Sequence, residues 1–289
     1  MLNFKLLICD FDNTLYDWVE YYVDSFYSMV EVALPIVGCD RETLLDDIRS
    51  IHRKYHDSEH PFSLLEAACV KQRFPNLSRE ERAAALDPAF HAFNRSRINS
   101  LKLFPLVKDT LASIQRSGIK IVGHTEAKYL SVVDRVGRLE LTNYFEKIYC
   151  RERSESSHPK GEFFKDWASR SLSDKVVELE NHKTKPSAEV LREICEREGY
   201  DVSDALYVGD SLPKDIYMAN QAKVASAWAK YGTASSTANY EKLVRVSHWT
   251  AIDVKRERAY VQQALDTTPT FTLDEGFFEI TSIISEYAA

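Results

Sequence analysis

The stretch Lys5-Leu6-Leu7-Ile8-Cys9-Asp10-Phe11-Asp12-Asn13-Thr14-Leu15-Tyr16-Asp17 decides the fold. Four apolar residues in a row, Leu6 to Cys9, give way abruptly to polar ones. The run is too short for a buried helix, and it does not alternate as a half-exposed strand would. It reads as a strand over residues 5–10 buried on both faces, the habit of parallel sheets covered by helices. Asp10, Asp12 and Thr14 follow at alternate positions. In open parallel sheets, ligands bind just past the carboxyl ends of the strands. The chemistry of this chain is therefore expected to start at Asp10.

Two further runs have the same character, residues 119–123 (IKIVG) and 205–208 (ALYV). Each follows a helix-like stretch, over residues 109–117 and 187–198. Gly118 and Gly199 stand where a helix C-terminus takes up the left-handed conformation. Strands alternating with helices predict an α/β fold with a doubly wound parallel sheet. Residues 16–100 break this rhythm. Val19, Tyr22, Val23, Phe26, Met29, Val30 and Ala33 keep helical spacing, as do Leu44, Leu45, Ile48, Ile51 and Tyr55. Ser63 with Glu66 and Ser78 with Glu81 match the capping box that opens a helix, and Pro88 suits the start of another. The sequence predicts a helical domain over 16–100 inserted into a sheet domain made of 1–15 and 101–289. Residues 151–183 and 233–268 exceed a minimal sheet domain, the latter with a helix-like stretch over 254–265.

The expected strand ends carry a consistent chemistry. After Asp10, Asp12 and Thr14, the second run leads into His124, Thr125 and Glu126. Lys185 precedes Pro186 and an amphipathic helix, and the last run leads into Gly209-Asp210 with Asp215 beyond. Four carboxylates and one ammonium sum to −3, which is costly at close quarters unless a cation enters or protons bind. Oxygen-only donors favour Mg²⁺, which is usually held by one or two carboxylates together with waters and a substrate phosphate. With Mg²⁺ bound and a proton on Asp12, the cluster could accept a phosphate dianion, and that proton is what a departing alkoxide needs from a general acid.

The ordered set Asp10-Phe11-Asp12-Asn13-Thr14, Thr125, Lys185 and Gly209-Asp210 with Asp215 resembles the motifs of the haloacid dehalogenase superfamily. The resemblance implies a Rossmann-like core with an α-helical cap inserted after the first motif. It implies that Asp10 is the nucleophile, forming an aspartyl-phosphate and binding Mg²⁺. Asp12 would be the general acid and then the base, and would offer its backbone carbonyl to the metal. Thr125 would hydrogen-bond the phosphoryl group, with Thr14 and backbone N–H groups near Glu126 completing the substrate cradle. Lys185 would offset charge on Asp10 and the phosphoryl group. Asp210 would bind Mg²⁺ directly, and Asp215 would bind it through water or orient Lys185. Members that dehalogenate or cleave phosphonates lack the second carboxylate, so Asp12 implies a phosphatase or phosphomutase. Many members have Asn or Gly after the second-motif Thr; here it is Glu126, whose carboxylate is expected to turn away from a phosphate. The implied activity is hydrolysis of a small phosphorylated metabolite. The alternatives are a nucleoside 5′-monophosphate phosphatase in particular, a phosphomutase, or a non-catalytic binding module.

Composition excludes other classes. The net charge of −7 argues against a nucleic acid polymer as partner. Five scattered cysteines without a C-x-x-C pair argue against a disulfide framework or thiolate zinc site and fit a reducing, cytoplasmic setting. No run approaches the ~20 apolar residues of a membrane helix. Nothing in the sequence specifies an oligomer. His52, His56 and His60 recur every four residues; a helix continuing through all three could gather a metal. Pro61 predicts instead that the helix ends before His60, leaving these histidines at solvated or substrate-loop positions, and residues 49–62 are expected to carry specificity. Tyr16, Trp18, Tyr21, Tyr22, Phe26 and Tyr27 cover several helix faces, so most of them should pack the core, with a base-stacking role open for one.

Overall fold

The structure is a computed structural model describing residues 3–60, 62–152, 174–234, 237–250 and 267–287. Its strands are β1 (Leu6–Cys9), β2 (Lys120–Lys128), β3 (Lys147–Arg151), β4 (Val176–Leu179), β5 (Ala205–Gly209), β6 (Ala225–Ala229) and β7 (Phe271–Leu273). They form one parallel sheet in the order β4-β3-β2-β1-β5-β6-β7. β1 is buried along its whole length. Its side chains alternate between two cores: Leu7 and Cys9 face one layer, Leu6 and Ile8 the other. A strand with no solvent face has no use for alternating polarity, which explains the unbroken apolar run.

From β1 the chain adds strands outward on the β2 side, then returns to add β5, β6 and β7 on the other. The winding therefore reverses between β1 and β5, where a doubly wound sheet opens a crevice at its carboxyl edge. Register brings the functional stretches level. Cys9 pairs with Gly123 on one side and Val208 on the other, so Asp10, His124 and Gly209 follow at one height.

β2 departs from expectation. The sequence predicts its end at Gly123, yet it runs to Lys128, with a register shift between the pairs His124–Tyr149 and Lys128–Arg151. The irregularity takes Thr125 out of the regular ladder while the strand rejoins β3 at Lys128, and such bulges re-aim side chains beside sites. β4 is an edge strand inside the stretch 151–183. Residues 153–173 and 251–266, including the helix-like stretch 254–265, lie outside the described residues.

The elements between Trp18 and Ser100 are helices, with no strand among the described residues. The long helix Trp18–Val37 opens on the Asp17 carboxylate and closes at Gly38, which is left-handed at φ +75°. It packs along Asp87–Ser100. The Ser78–Glu81 capping box forms with both bonds. Ser63–Glu66 does not form one. Ser63 lies inside its short helix, and its hydroxyl is 3.2 Å from the His52 Nε2, so a tertiary partner takes the group that a local cap would need. The insertion leaves and rejoins the sheet domain side by side: Tyr16 bridges Leu103, and the Phe104 N–H donates to the Leu15 carbonyl at 2.8 Å.

The helix Thr237–Val246 packs against Trp18–Val37 and Arg41–Tyr55. Arg245 reaches Glu42 at 2.6 Å and Asp46 at 2.9 Å. The Tyr27 hydroxyl donates to the Lys242 carbonyl at 3.1 Å. His52 Nδ1 lies 2.7 Å from the Val246 carbonyl, which fixes the proton on that nitrogen, since a carbonyl only accepts. His52 and His60 are thus buried and engaged, contrary to a solvated reading. His60 stacks on Tyr55 and pairs with Glu66 at 3.0 Å, while His56 ends its helix in the left-handed conformation. The three histidines do not converge. No helix among the described residues is long and apolar enough to cross a membrane.

Candidate active site

The loop after β1 is built by local bonds. The Asp10 N–H donates to the Val208 carbonyl at 2.9 Å, extending the β1–β5 ladder by one step. Thr14 and Leu15 both donate backbone N–H groups to the Phe11 carbonyl, at 3.2 and 2.8 Å. The turn needs Asn13 at φ +57°, a region that Asn tolerates better than most residues. Its side-chain oxygen accepts from the Trp18 N–H at 3.1 Å. Two glycines make room. A Cβ on Gly123 would meet the Phe11 ring at 2.6 Å, and one on Gly232 would meet the Asn13 carbonyl oxygen at 1.7 Å.

Asp10, Asp210 and Asp215 converge, with one carboxylate oxygen from each lying within 4.8 Å of the others. Lys185 enters from the β4 side of the sheet, ahead of the helix Ala188–Glu198, which opens on the Ser187 hydroxyl. Its ammonium donates to Asp10 Oδ1 at 2.6 Å and to Asp215 Oδ1 at 2.9 Å, and its side chain is 3% exposed. The Tyr207 hydroxyl and the Ser211 N–H also donate to Asp215, both at 3.0 Å. Asp215 presses against Gly209, where a Cβ would lie 2.5 Å from its carboxyl group. The Thr14 hydroxyl faces Asp10 Oδ2 at 3.5 Å. Thr125 is buried, and its oxygen accepts from the Ala127 N–H at 3.1 Å. It does not cap the following helix, whose N-cap is Lys128.

Electrostatics mark the cluster as short of cations. Burial pushes the Asp10 carboxyl up to about 7; Lys185 pulls it down and Asp215 pushes it further up. Asp210 is raised as well, by burial first and then by Asp215 and Asp10. Burial works against the Lys185 charge, but Asp10 and Asp215 outweigh it and hold its pKa well above the usual value. One ammonium among three hard oxygen donors leaves a net negative hole, a donor set that fits Mg²⁺ and would not suit a softer ion.

Glu126 and Lys214 differ from a plain reading. Glu126 accepts the Lys185 backbone N–H at 3.1 Å and pairs with the Lys214 ammonium at 2.6 Å. Burial opposes its charge, yet Lys214 outweighs that and keeps the carboxyl below its ordinary range. Lys214 is therefore the counter-charge of Glu126. Glu126 also lines a small cavity with Asp57, Glu59, Lys128, Ser131 and Arg151.

Asp12 stands apart from the other three carboxylates. Its Oδ1 accepts from Arg135 Nη1 at 2.9 Å and from the Tyr16 hydroxyl. Arg135 lies on the helix Tyr129–Arg138 and is fully buried, and it also pairs with Glu59. The sequence marks Glu59 only as part of 49–62 and marks neither Arg135 nor Tyr207. Arg135 had one available signal, a charged residue within the buried stripe Val132, Val133, Val136 of an amphipathic helix. The aromatic group is used internally: Trp18 stacks on Tyr22 and Tyr22 on Phe26.

Residues 7–172 and 162–229 match the family described as haloacid dehalogenase-like hydrolase. A glyceraldehyde 3-phosphate phosphatase from Methanopyrus kandleri is 24% identical over 234 residues, covering 79% of this chain and 84% of its own. One from Pyrococcus abyssi is 20% identical over 79% of this chain and 82% of its own. Among solved structures, 2-haloacid dehalogenase from Pseudomonas syringae superposes with a TM-score of 0.58 at 20% identity, covering 99% of this chain and all of that one; that likeness is one of fold. The chain belongs to the haloacid dehalogenase-like hydrolase family.

Proposed function

We propose that this hydrolase cleaves a small phosphate monoester through an aspartyl-phosphate on Asp10, with Mg²⁺ as cofactor. The observation that carries the reading is the division of the carboxylates. Asp10, Asp210 and Asp215 share one cation-seeking cluster with Lys185, while Asp12 keeps its carboxylate outside it, on Arg135 and Tyr16. One group is thus set to be a nucleophile beside a metal and another to move protons. The two curated relatives named glyceraldehyde 3-phosphate phosphatase support a small phosphorylated metabolite as substrate. The nucleoside monophosphate alternative rests on the stretch Asp10–Asp17 and on the aromatic group, and of these the aromatic part is weakened by the stacking of Trp18 on Tyr22 and Tyr22 on Phe26.

Mg²⁺, held by Asp10, Asp210, Asp215 and the Asp12 carbonyl, would neutralise the cluster and draw charge off the transferring phosphoryl oxygens. Asp10 attacks phosphorus while Lys185 holds its other charge in check. Thr14, Thr125 and backbone N–H groups near Glu126 bind the phosphoryl oxygens. Asp12 gives a proton to the leaving oxygen and later takes one from the water that hydrolyses the aspartyl-phosphate. Residues 16–100 act as the cap over a core of 1–15 and 101–289, and the cap loop near Asp57 and Glu59 meets the substrate's leaving group. Five free cysteines support work in the reducing cytoplasm.

The test is rapid-quench kinetics of Asp12→Asn with an activated aryl phosphate. The variant should accumulate phosphoenzyme in a burst and hydrolyse it roughly 10²–10⁴ times more slowly, the loss of a general base. Turnover at the wild-type rate with no burst would refute the assignment.

A further inference from the structure

The acid/base Asp12 does not hold its own position. It stands just before the left-handed residue Asn13, and its carboxylate is 24% exposed. Two donors hold it: the Tyr16 hydroxyl, four residues on in the same turn, and Arg135, which comes from another element. The guanidinium forks: Nη1 donates to Asp12 Oδ1 at 2.9 Å and to the Tyr16 hydroxyl at 3.4 Å, and Nη2 pairs with Glu59. The Tyr21 ring lies 5.1 Å from the guanidinium carbon. Arg135 sits on a core helix, whereas Glu59 comes from the helical insertion. The loop that carries Glu59 is itself fastened. Asp57 pairs with Lys128 at 2.7 Å, and the Ser58 carbonyl accepts from the Tyr22 hydroxyl at 2.8 Å. Trp18 Nε1 donates to Glu59 at 3.4 Å.

We propose that Arg135 is a positioning residue that fixes the Asp12 carboxylate, and that Glu59 on the cap fixes Arg135, so that the cap reaches the proton-transfer step through one buried guanidinium. The inference rests on the phosphatase reading of Asp12. A planar fork can hold two carboxylates in one set geometry, and an ammonium cannot. Charge and geometry therefore separate in the variant Arg135→Lys. Catalytic groups tolerate little misplacement, with about 1 Å costing on the order of 10²-fold. The loss should appear where the proton matters, namely with poor leaving groups.

The experiment compares wild type, Arg135→Lys, Arg135→Gln and Glu59→Gln on a series of aryl and alkyl phosphates with Mg²⁺ present. Crystal structures of Arg135→Lys and Glu59→Gln accompany the kinetics. Arg135→Lys should lose roughly 10²-fold in kcat with alkyl phosphates, far less in phosphoenzyme formation from activated aryl phosphates, and little in KM. Its Asp12 carboxylate should leave the position it holds in wild type. Glu59→Gln should shift the same series in the same direction by less. Equal loss across all leaving groups, or an unmoved Asp12 in Arg135→Lys, would overturn the proposal. Wild type without any phosphate release would count against the phosphatase reading, and the Asp12 position in the two variant structures would still decide the positioning role.

Discussion

The Lys185 ammonium stands 2.6 Å from the Asp10 carboxylate, a contact between residues 175 positions apart. It is also the one cation within 3 Å of the Asp10–Asp215 pair among the described residues. The carboxylate cluster and its partial compensation are thus a single unit, and most of its behaviour follows from that.

Removing the ammonium should destabilise the protein before it affects chemistry. Lys185→Met leaves the buried Asp10 and Asp215 facing each other beside the half-buried Asp210, and breaking a buried pair typically costs about 3–5 kcal/mol. Chemical denaturation in the presence of a chelator should show a loss of this size, and added Mg²⁺ should recover part of it. A loss under about 1 kcal/mol would mean that the carboxylates are not charged together.

The metal should register in stability as well as in turnover. Ligands that bind only the folded state raise the melting temperature. Mg²⁺ should therefore raise the Tm of the wild type, and Asp210→Asn should abolish that rise together with activity. Full activity in excess chelator would contradict the site.

On the proposed mechanism Asp10 admits no substitute. Asp10→Asn should keep the fold, since the amide has nearly the shape of the carboxyl group, and should show neither turnover nor acid-stable phosphoenzyme. Circular dichroism and acid quench check the two halves. A variant keeping more than about one part in 10² of wild-type turnover would rule out attack by Asp10.

His52 should make stability sensitive to mild acid. Burial lowers its pKa to about 4, while its Nδ1 donates to Val246. Unfolded, it titrates at about 6.5. The unfolded chain therefore binds the extra proton first as pH falls. Stability should be full above about pH 6.5, decline towards pH 4 and level off below, by something on the order of 3 kcal/mol. His52→Asn should remove that part of the slope in denaturation curves measured from pH 7 to 4. An unchanged slope would place the titrating group elsewhere.

The parts of the site that the sequence made legible are those that local chain direction controls. Asp10, Asp210 and Asp215 lie a few residues past buried strands, and apolar runs mark such strands well. Gly199 at φ +81° and the Ser78–Glu81 box are legible for the same reason, because each is settled within four residues. Arg135 was hidden because its partners are 123 and 76 residues away, and an arginine in a helix ordinarily faces water. Ser63 misled because a distant histidine competes for its hydroxyl. The end of β2 misled because His124-Thr125-Glu126-Ala127-Lys128 reads as polar loop, while a bulge carries the ladder through it.

The attachment of Thr237–Val246 to the inserted helices bears on how the crevice opens. Residues 16–100 meet the rest of the chain at the paired crossings near Leu15 and Phe104 and again at the Asp57–Lys128 and Glu59–Arg135 pairs. The contacts of Val246 and Arg245 with His52, Glu42 and Asp46 add a further fixing point on another side, and a body held at several separate points does not turn freely. On the proposed reading of residues 16–100 as a cap, opening must either break those bonds or carry the helix Thr237–Val246 along, which ties access to the crevice to a segment outside the carboxylate cluster.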